Sequence, residues 1–285
     1  MKDVLAIVVL YKTQINESKS IRTLNELMNS SDDLDNIDLL IYDNSPVSNQ
    51  AAPSFNKINS TYVSDGHNSG LSTAYNYGIS LAKKLSKTWI LLLDQDTCLE
   101  TTYLTELKNT LYSAVKPDTV AIVPKLIKGK RHLSPIKNRS ESNIWWFQQD
   151  ITQSGYYSGE FIVAFNSGTL LNVSFIDSIG GFSSKYSLDR LDYWYFYQIY
   201  LQKKQIYVLN TTMEHDLSLL NYDEYMTADR YKSILKSEIS FANEIGFYCV
   251  LLYKLSLLFR FFKQLFLFKK KQYAFLTFNQ LWKFR

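Results

Sequence analysis

Four short apolar runs, each breaking off into polar residues, constrain this chain more than any other feature. Val4–Leu10, Ile37–Tyr42, a short strand near Tyr62–Val63, and Trp89–Leu93 are too short for core helices and rich in β-branched or bulky residues. Between them lie a polar stretch of helical character, from about Ser18 to Met28, and a segment with Leu71, Tyr75, Ile79, Ala82 and Leu85 at helical spacing. Strands separated by helices imply an α/β fold with a mostly parallel, Rossmann-like central sheet flanked by helices. In such sheets ligands sit beyond the carboxyl ends of the strands. Tyr11, Asp43-Asn44-Ser45, Asp65 to Gly70 and Asp94-Gln95-Asp96 each fall at one of those ends, so the four clusters describe one rim.

Asp94 and Asp96 are two residues apart, with nothing basic beside them. On an extended chain they share a side and repel each other unless a cation or a donor-rich ligand lies between them. Such oxygen ligands suit Mg²⁺ or Mn²⁺, which bind through one or two carboxylates and complete their shell with phosphate oxygens and water. A strand-ending turn, with one Asp capping the next helix, accounts for the same residues without a ligand. Asp43 is open in the same way: it suits an N–H of uracil or thymine, or a ribose, and it equally suits a turn. In SDGHNSGLSTAYNYG, small residues stand where a helix begins at Leu71 or Ser72, and backbone donors there could face a phosphate. The segment has neither the lysine of a phosphate loop nor the spaced glycines of a dinucleotide site, and His67 reads as a loop histidine.

Further along, Gly168 and the Gly180-Gly181 pair permit close backbone approach, with Phe182 as a candidate anchor. Asp189 and Asp192 are i,i+3 neighbours if a helix starts there, one free to cap it and the other to serve chemistry. The run Tyr193–Tyr197 reads as core packing, with Tyr193 or Trp194 able to double as a sugar platform. His215 follows the strand Gln205–Leu209 and is a candidate third ligand for a cation held by the two aspartates. Lys128 to Ser142 is expected to be a loop, running into Trp145-Trp146-Phe147.

Charge divides the chain. Eight of its 31 Lys and Arg, and none of its 27 Asp and Glu, lie from Phe247 onward, leaving 23 basic against 27 acidic residues in the body. The tail mixes leucines and aromatics with cations that recur too often for a membrane-spanning helix. It fits an interfacial helix on an anionic membrane surface, against packing on the sheet domain or on a second subunit in a homo-oligomer. No recognition motif supports a nucleic-acid partner. Cys98 and Cys249 have no spacing that suggests a disulfide framework or a zinc site. The start, MKDVLAIVVLYK, is too short in its apolar run for a signal peptide and reads as a first strand.

Taken in order, VLAIVVLYK, IYDNS, NSGLSTAYNYGI, WILLLDQDT, NSGTLL, IGGF, the LDRLD segment and EHDLS resemble the family 2 inverting glycosyltransferases of the GT-A fold. Within that family they look most like bacterial rhamnosyltransferase-type enzymes of surface polysaccharide synthesis, over Val4 to about Asp216. The resemblance implies a catalytic domain over 1–216 and a helical, basic-aromatic appendage over 217–285. It implies that Tyr11 and Asp43 hold the base and ribose, and that Asn68 and Gly70 lie near the diphosphate. Asp94 would contact ribose or a metal-bound water, Asp96 and His215 would ligate the cation, and Asp192 would be the catalytic base with Asp189 in reserve. Lys12 stands where Asn is usual, Leu191 where many members are acidic, and Gln198 where Arg is common.

The activity so implied is transfer of a sugar from a nucleotide diphosphate sugar, with dTDP-rhamnose the first candidate, to a growing, lipid-linked glycan. A UDP-galactose or UDP-glucose donor is the alternative. The expected place is the cytoplasmic, inner face of the cell membrane, as a peripheral protein. Outside this class stand a nucleotidyltransferase, which would want a basic phosphate-gripping loop where only Lys12 is available, and an inactive membrane-targeting module.

Overall fold

The computed structural model of the protein describes residues 1–30, 36–47, 51, 53–113, 115–138, 148–215 and 226–283. The chain forms two compact units, Met1–Ile136 with Asp150–His215, and Lys137–Gln149 with Asp216–Arg285. The short segment Lys137–Gln149 thus belongs with the C-terminal unit, where the sequence suggested a single division after 216. Trp145-Trp146-Phe147 lie outside the described residues.

The first unit opens with β1 (Val4–Leu10), all seven residues buried, then α1 (Lys19–Ser30), β2 (Ile37–Asp43) and β3 (Ile58–Ser64). Next come α2 (Leu71–Lys84), β4 (Trp89–Asp94), α3 (Thr101–Tyr112) and β5 (Thr119–Lys128). Because β1, β2 and β4 are covered on both faces, their sequences are continuous apolar runs rather than alternating ones. Then follow β6 (Arg131–Ser134), two short strands that lie mostly in the segment of the second unit, β7 (Ile136–Asn138) and β8 (Gln148–Asp150), and, back in the first unit, β9 (Gly155–Tyr157). The unit closes with β10 (Ile162–Val163), β11 (Thr169–Asn172), α4 (Val173–Ser178), α5 (Leu191–Leu201) and β12 (Gln205–Glu214).

The main sheet has the order β3-β2-β1-β4-β11-β5-β12-β9, with β6 paired to β5. The pairs β3–β2, β2–β1, β1–β4 and β5–β12 are parallel, whereas β11 runs antiparallel to both β4 and β5. Register sets the functional edge: Leu10 lies opposite Asp43, Asp43 opposite Ser64, and Val9 opposite Asp94. The carboxyl ends of four strands therefore finish on one line. The expected loop from Lys128 is instead a hairpin over its first part, with Lys128 paired to Arg131 and Leu126 to Ser134.

The second unit holds α6 (Ala228–Ile245), α7 (Phe247–Leu267) and α8 (Gln272–Leu281). Thr227 starts α6 by accepting a hydrogen bond from the Arg230 N–H, and Gly246, at φ +140°, separates α6 from α7. Tyr231, Leu235, Ile239, Tyr253, Leu257 and Tyr273 form its core. Inside it the Tyr231 hydroxyl bonds Thr277 at 2.6 Å, Gln264 donates to Tyr231 at 2.8 Å, and Thr277 donates to Gln264 at 2.7 Å.

Candidate active site

The rim is tied together by short side chains. The Tyr11 N–H donates to Gln95 Oε1 at 2.8 Å and the Lys12 N–H to Ser45 Oγ at 2.8 Å, so the turn after β1 is pinned to the ends of β4 and β2. Ser18 and Ser20 donate to the backbone carbonyls of Gln95 and Asp94. The Tyr11 ring is left exposed, with Lys12 Nζ 5.1 Å from its centre.

Asp43 is completely buried, accepting from the Ser45 N–H at 3.0 Å and the Tyr62 hydroxyl at 2.8 Å. The first bond is an Asx turn, so this carboxylate holds the chain reversal at Asn44 and Ser45. Asn44 Oδ1 is buried beside it and has no hydrogen-bond partner among the described residues. Asp65 sits at the next strand end. Burial pushes its carboxyl up, but hydrogen bonds from Ser69, His67 and Tyr42 outweigh that and hold it below the usual range. These bonds shape the loop that carries Asn68, at φ +51° and exposed, and Gly70.

Gly70 shows why the segment before α2 carries no side chain at that point. Its φ is +89°, and a Cβ there would collide with the carbonyl oxygen of Ser187, which also accepts the Leu71 N–H at 2.6 Å. One donor at the start of α2 is therefore spent on the protein. Asn76, two turns along, clamps Phe182 by accepting its N–H at 2.7 Å and donating to its carbonyl at 2.8 Å. Gly181 stands against that amide, where a Cβ would lie 2.6 Å from Asn76 Oδ1. Phe182 is buried between Tyr75 at 5.2 Å and Tyr195 at 5.7 Å between ring centres, and so anchors the IGGF turn under α2 and α5.

On this aromatic floor two carboxylates converge. Asp94 ends β4 and accepts a short hydrogen bond from Ser167. Burial raises its pKa, Ser167 opposes that, Asp96 raises it further and His215 lowers it, so both other members of the expected metal set act on Asp94. Asp96 is exposed; His215 is buried, near Phe165, with its backbone N–H donating to the Ile127 carbonyl at 2.9 Å. Among the described residues no three His, Cys, Asp or Glu side chains close around one point as a metal cluster. Carboxylates such as Asp94 and Asp96 are donors of the type that Mg²⁺ and Mn²⁺ take, with water and phosphate filling the other positions.

Asp192 lies in the first turn of α5, which starts not from Asp189 but from Arg190, in the left-handed conformation at φ +66°. Asp189 precedes the cap and is half-buried. Burial pushes the Asp192 carboxyl up to about 6. The Tyr193 N–H, at 2.8 Å, and Arg190 pull it down, while Asp189 and Asp94 push it up again. The Tyr75 hydroxyl is buried between the fields of Asp94 and Asp192, and it lacks a hydrogen-bond partner among the described residues. Trp194 is buried in packing, whereas Tyr193 is half-buried with the Arg190 guanidinium 4.3 Å from its ring centre. A cavity of about 500 Å³ lies beside α1, lined by Ile15, Arg22, Pro53 and Phe55 among others and by none of these carboxylates.

Residues 7–180 match the model of glycosyl transferase family 2. The chain belongs to that family. Among solved structures, *Staphylococcus aureus* TarS in complex with UDP-GlcNAc is 14% identical with a TM-score of 0.54, covering 98% of this chain and 79% of the other. The mannosyltransferase PcManGT from *Pyrobaculum calidifontis*, in complex with GDP-Man and Mn²⁺, is 12% identical at 0.50, covering 99% and 88%. GalNAc-T7 with UDP, GalNAc and Mn²⁺ is 12% identical at 0.54, covering 85% and 49%. These likenesses establish the GT-A fold. Comparison with curated protein sequences gives no match. The protein is a family 2 glycosyltransferase.

Ser167 and Tyr75 were given no part in the site by sequence reasoning, which placed Ser45 and Gln95 on the rim without their bonds to the turn after β1. Ser167 was within reach, since it stands in the NSGTLL segment that carries part of the family resemblance.

Proposed function

We propose that the protein is an inverting transferase that moves a sugar from a nucleotide diphosphate to a glycan hydroxyl, with Asp192 as the base. One observation carries this reading: a carboxyl at the start of α5 lies on the same buried floor as Asp94, with its pKa pushed up to about 6 by burial. A base in that range is ionised at neutral pH and accepts a proton more readily than an ordinary aspartate. The acceptor oxygen attacks the anomeric carbon from the face opposite the diphosphate, its proton passes to Asp192, and the bond from sugar to diphosphate breaks. Tyr11 offers a ring to the base, Asp43 holds the turn beside it, and Asn68 and Gly70 line the diphosphate side. Asp94, Asp96 and His215 would hold a divalent cation, Mg²⁺ or Mn²⁺, whose charge would offset the negative charge building on the departing diphosphate. Asp189 and the half-buried Tyr193 are placed for the sugar or acceptor side, with Trp194 supporting them from within.

For the donor, dTDP-rhamnose remains the first candidate. A UDP-sugar is the second reading, favoured by the UDP and UDP-GlcNAc bound in two of the similar structures. The acceptor is proposed to be a lipid-linked surface glycan at the inner face of the cell membrane. Incubation with each nucleotide sugar and a soluble acceptor analogue tests this. Release of nucleoside diphosphate, with a product anomer opposite to the donor's by NMR, is expected. Pyrophosphate release would point to nucleotidyl transfer, and a retained anomer would remove Asp192 from the role of base.

A further inference from the structure

We infer that α7 and α8 present a built surface for anionic lipid, independent of the transferase chemistry and its donor. Twelve of the twenty exposed large hydrophobic residues among those described fall between Phe247 and Trp282. Their placement is regular. Tyr248, Leu251, Leu255, Phe259, Phe262 and Phe266 are spaced by three or four residues along α7, and the last is 75% exposed. At about 100° per residue they form one stripe.

The opposite side of the same helix is already committed. Cys249, Tyr253, Leu257 and Gln264 are buried in the core of the C-terminal unit, and Arg260 on that side forms an ion pair with Glu238. A helix that needed only to pack within its unit would expose polar residues on its far face; α7 is apolar on both. Phe261 joins the stripe to α8, lying 5.3 Å from Phe278, which in turn lies 6.2 Å from the 69% exposed Trp282.

Charge identifies the occupant. On the helix period Lys254 and Lys263 flank the stripe on its two sides, about a quarter-turn away from its centre. Lys263, Lys269, Lys270 and Lys283 are exposed, and no acidic residue occurs from Phe247 to the end. Lysines bordering an apolar face let their stems cover hydrocarbon while their ammonium groups meet phosphate. A second copy paired on this face by a twofold axis would instead set lysine against lysine, with no carboxylate from either tail to answer. Among the described residues no helix is long and apolar enough to cross a membrane, so the surface binds along the interface.

Flotation of the full chain with lipid vesicles tests the surface. Binding to phosphatidylcholine vesicles containing phosphatidylglycerol is expected to be at least about tenfold tighter than to pure phosphatidylcholine, and to weaken with salt. Phe262→Glu with Phe266→Glu should lose at least about tenfold while circular dichroism is unchanged, both positions being exposed. Lys263→Gln with Lys269→Gln should lose several-fold and serves as an independent check if the first pair misfolds. Equal binding to both vesicle types, or none to either, overturns the inference. So does a dimer in light scattering that the Phe262/Phe266 pair dissolves while vesicles go unbound.

Discussion

Glu238 in the C-terminal unit and the pair Asp94 and Asp192 in the catalytic unit are held in opposite ways. In the C-terminal unit Glu238 is 7% exposed, receives two hydrogen bonds from the Arg260 guanidinium at 2.8 and 3.1 Å, and a third from Tyr253 at 3.2 Å. Arg260 is held well above its usual range by that partner, although burial alone would lower it. In the catalytic unit Asp94 is bonded to a hydroxyl and pushed by a second carboxylate, and Asp192 is raised to about 6 despite Arg190 nearby. Glu238 has its charge neutralised by Arg260; Asp94 and Asp192 hold theirs in reserve. A satisfied pair fixes a packing arrangement, whereas an incompletely satisfied acid can receive a proton or a ligand.

That contrast can be broken by mutation, most severely at the base. Asp192→Asn should lower kcat by about 10²- to 10⁴-fold, with donor nucleotide affinity held within a few-fold by titration calorimetry. Retained turnover would show that another group takes the proton. At the satisfied pair, Arg260→Met should cost about 3–5 kcal/mol in urea unfolding, because Glu238 is left buried without its cationic partner. Adding Glu238→Gln should recover much of the loss; no recovery would mean that Arg260 acts through its packing.

The same Asp192→Asn change should move stability the other way. A carboxyl whose folded pKa is raised penalises the fold above about pH 6, where it must ionise, and imposes nothing below its unfolded value near 4. The substitution should therefore gain about 1–3 kcal/mol at neutral pH, vanishing below pH 4, as read from urea curves across pH. A loss at neutral pH would place Asp192 with the satisfied charges. The smallest effect is expected at Tyr75→Phe. Removing a buried hydroxyl that has no hydrogen-bond partner among the described residues should leave stability equal or raised by about 1 kcal/mol. A clear fall in melting temperature would reveal a partner such as an ordered water.

Much of the strand framework was legible because burial on both faces writes itself as an uninterrupted apolar run, and Val4–Leu10 coincides with β1 residue for residue. Asp43 and Asp94 were visible as the polar residues that end such runs. Arg260 was not legible. As a cation in a basic tail it looked solvated, and only tertiary structure brings it to a glutamate 22 residues earlier. The hairpin after Lys128 was hidden for a related reason, since β6 is a four-residue strand paired to β5 off the main order of the sheet and carries no apolar run. Asp189 suggested the cap of α5 from its spacing, but the left-handed Arg190 starts that helix instead, a conformation no local pattern announces.

The pH dependence of kcat/KM bears most directly on the idea that burial has readied Asp192 to take a proton, since it follows groups of the free enzyme. An acidic limb with an apparent pKa of about 6, absent from the residual activity of Asp192→Asn, is the predicted result. A profile flat down to an ordinary carboxylate pKa near 4, or a limb that survives the substitution, would contradict it.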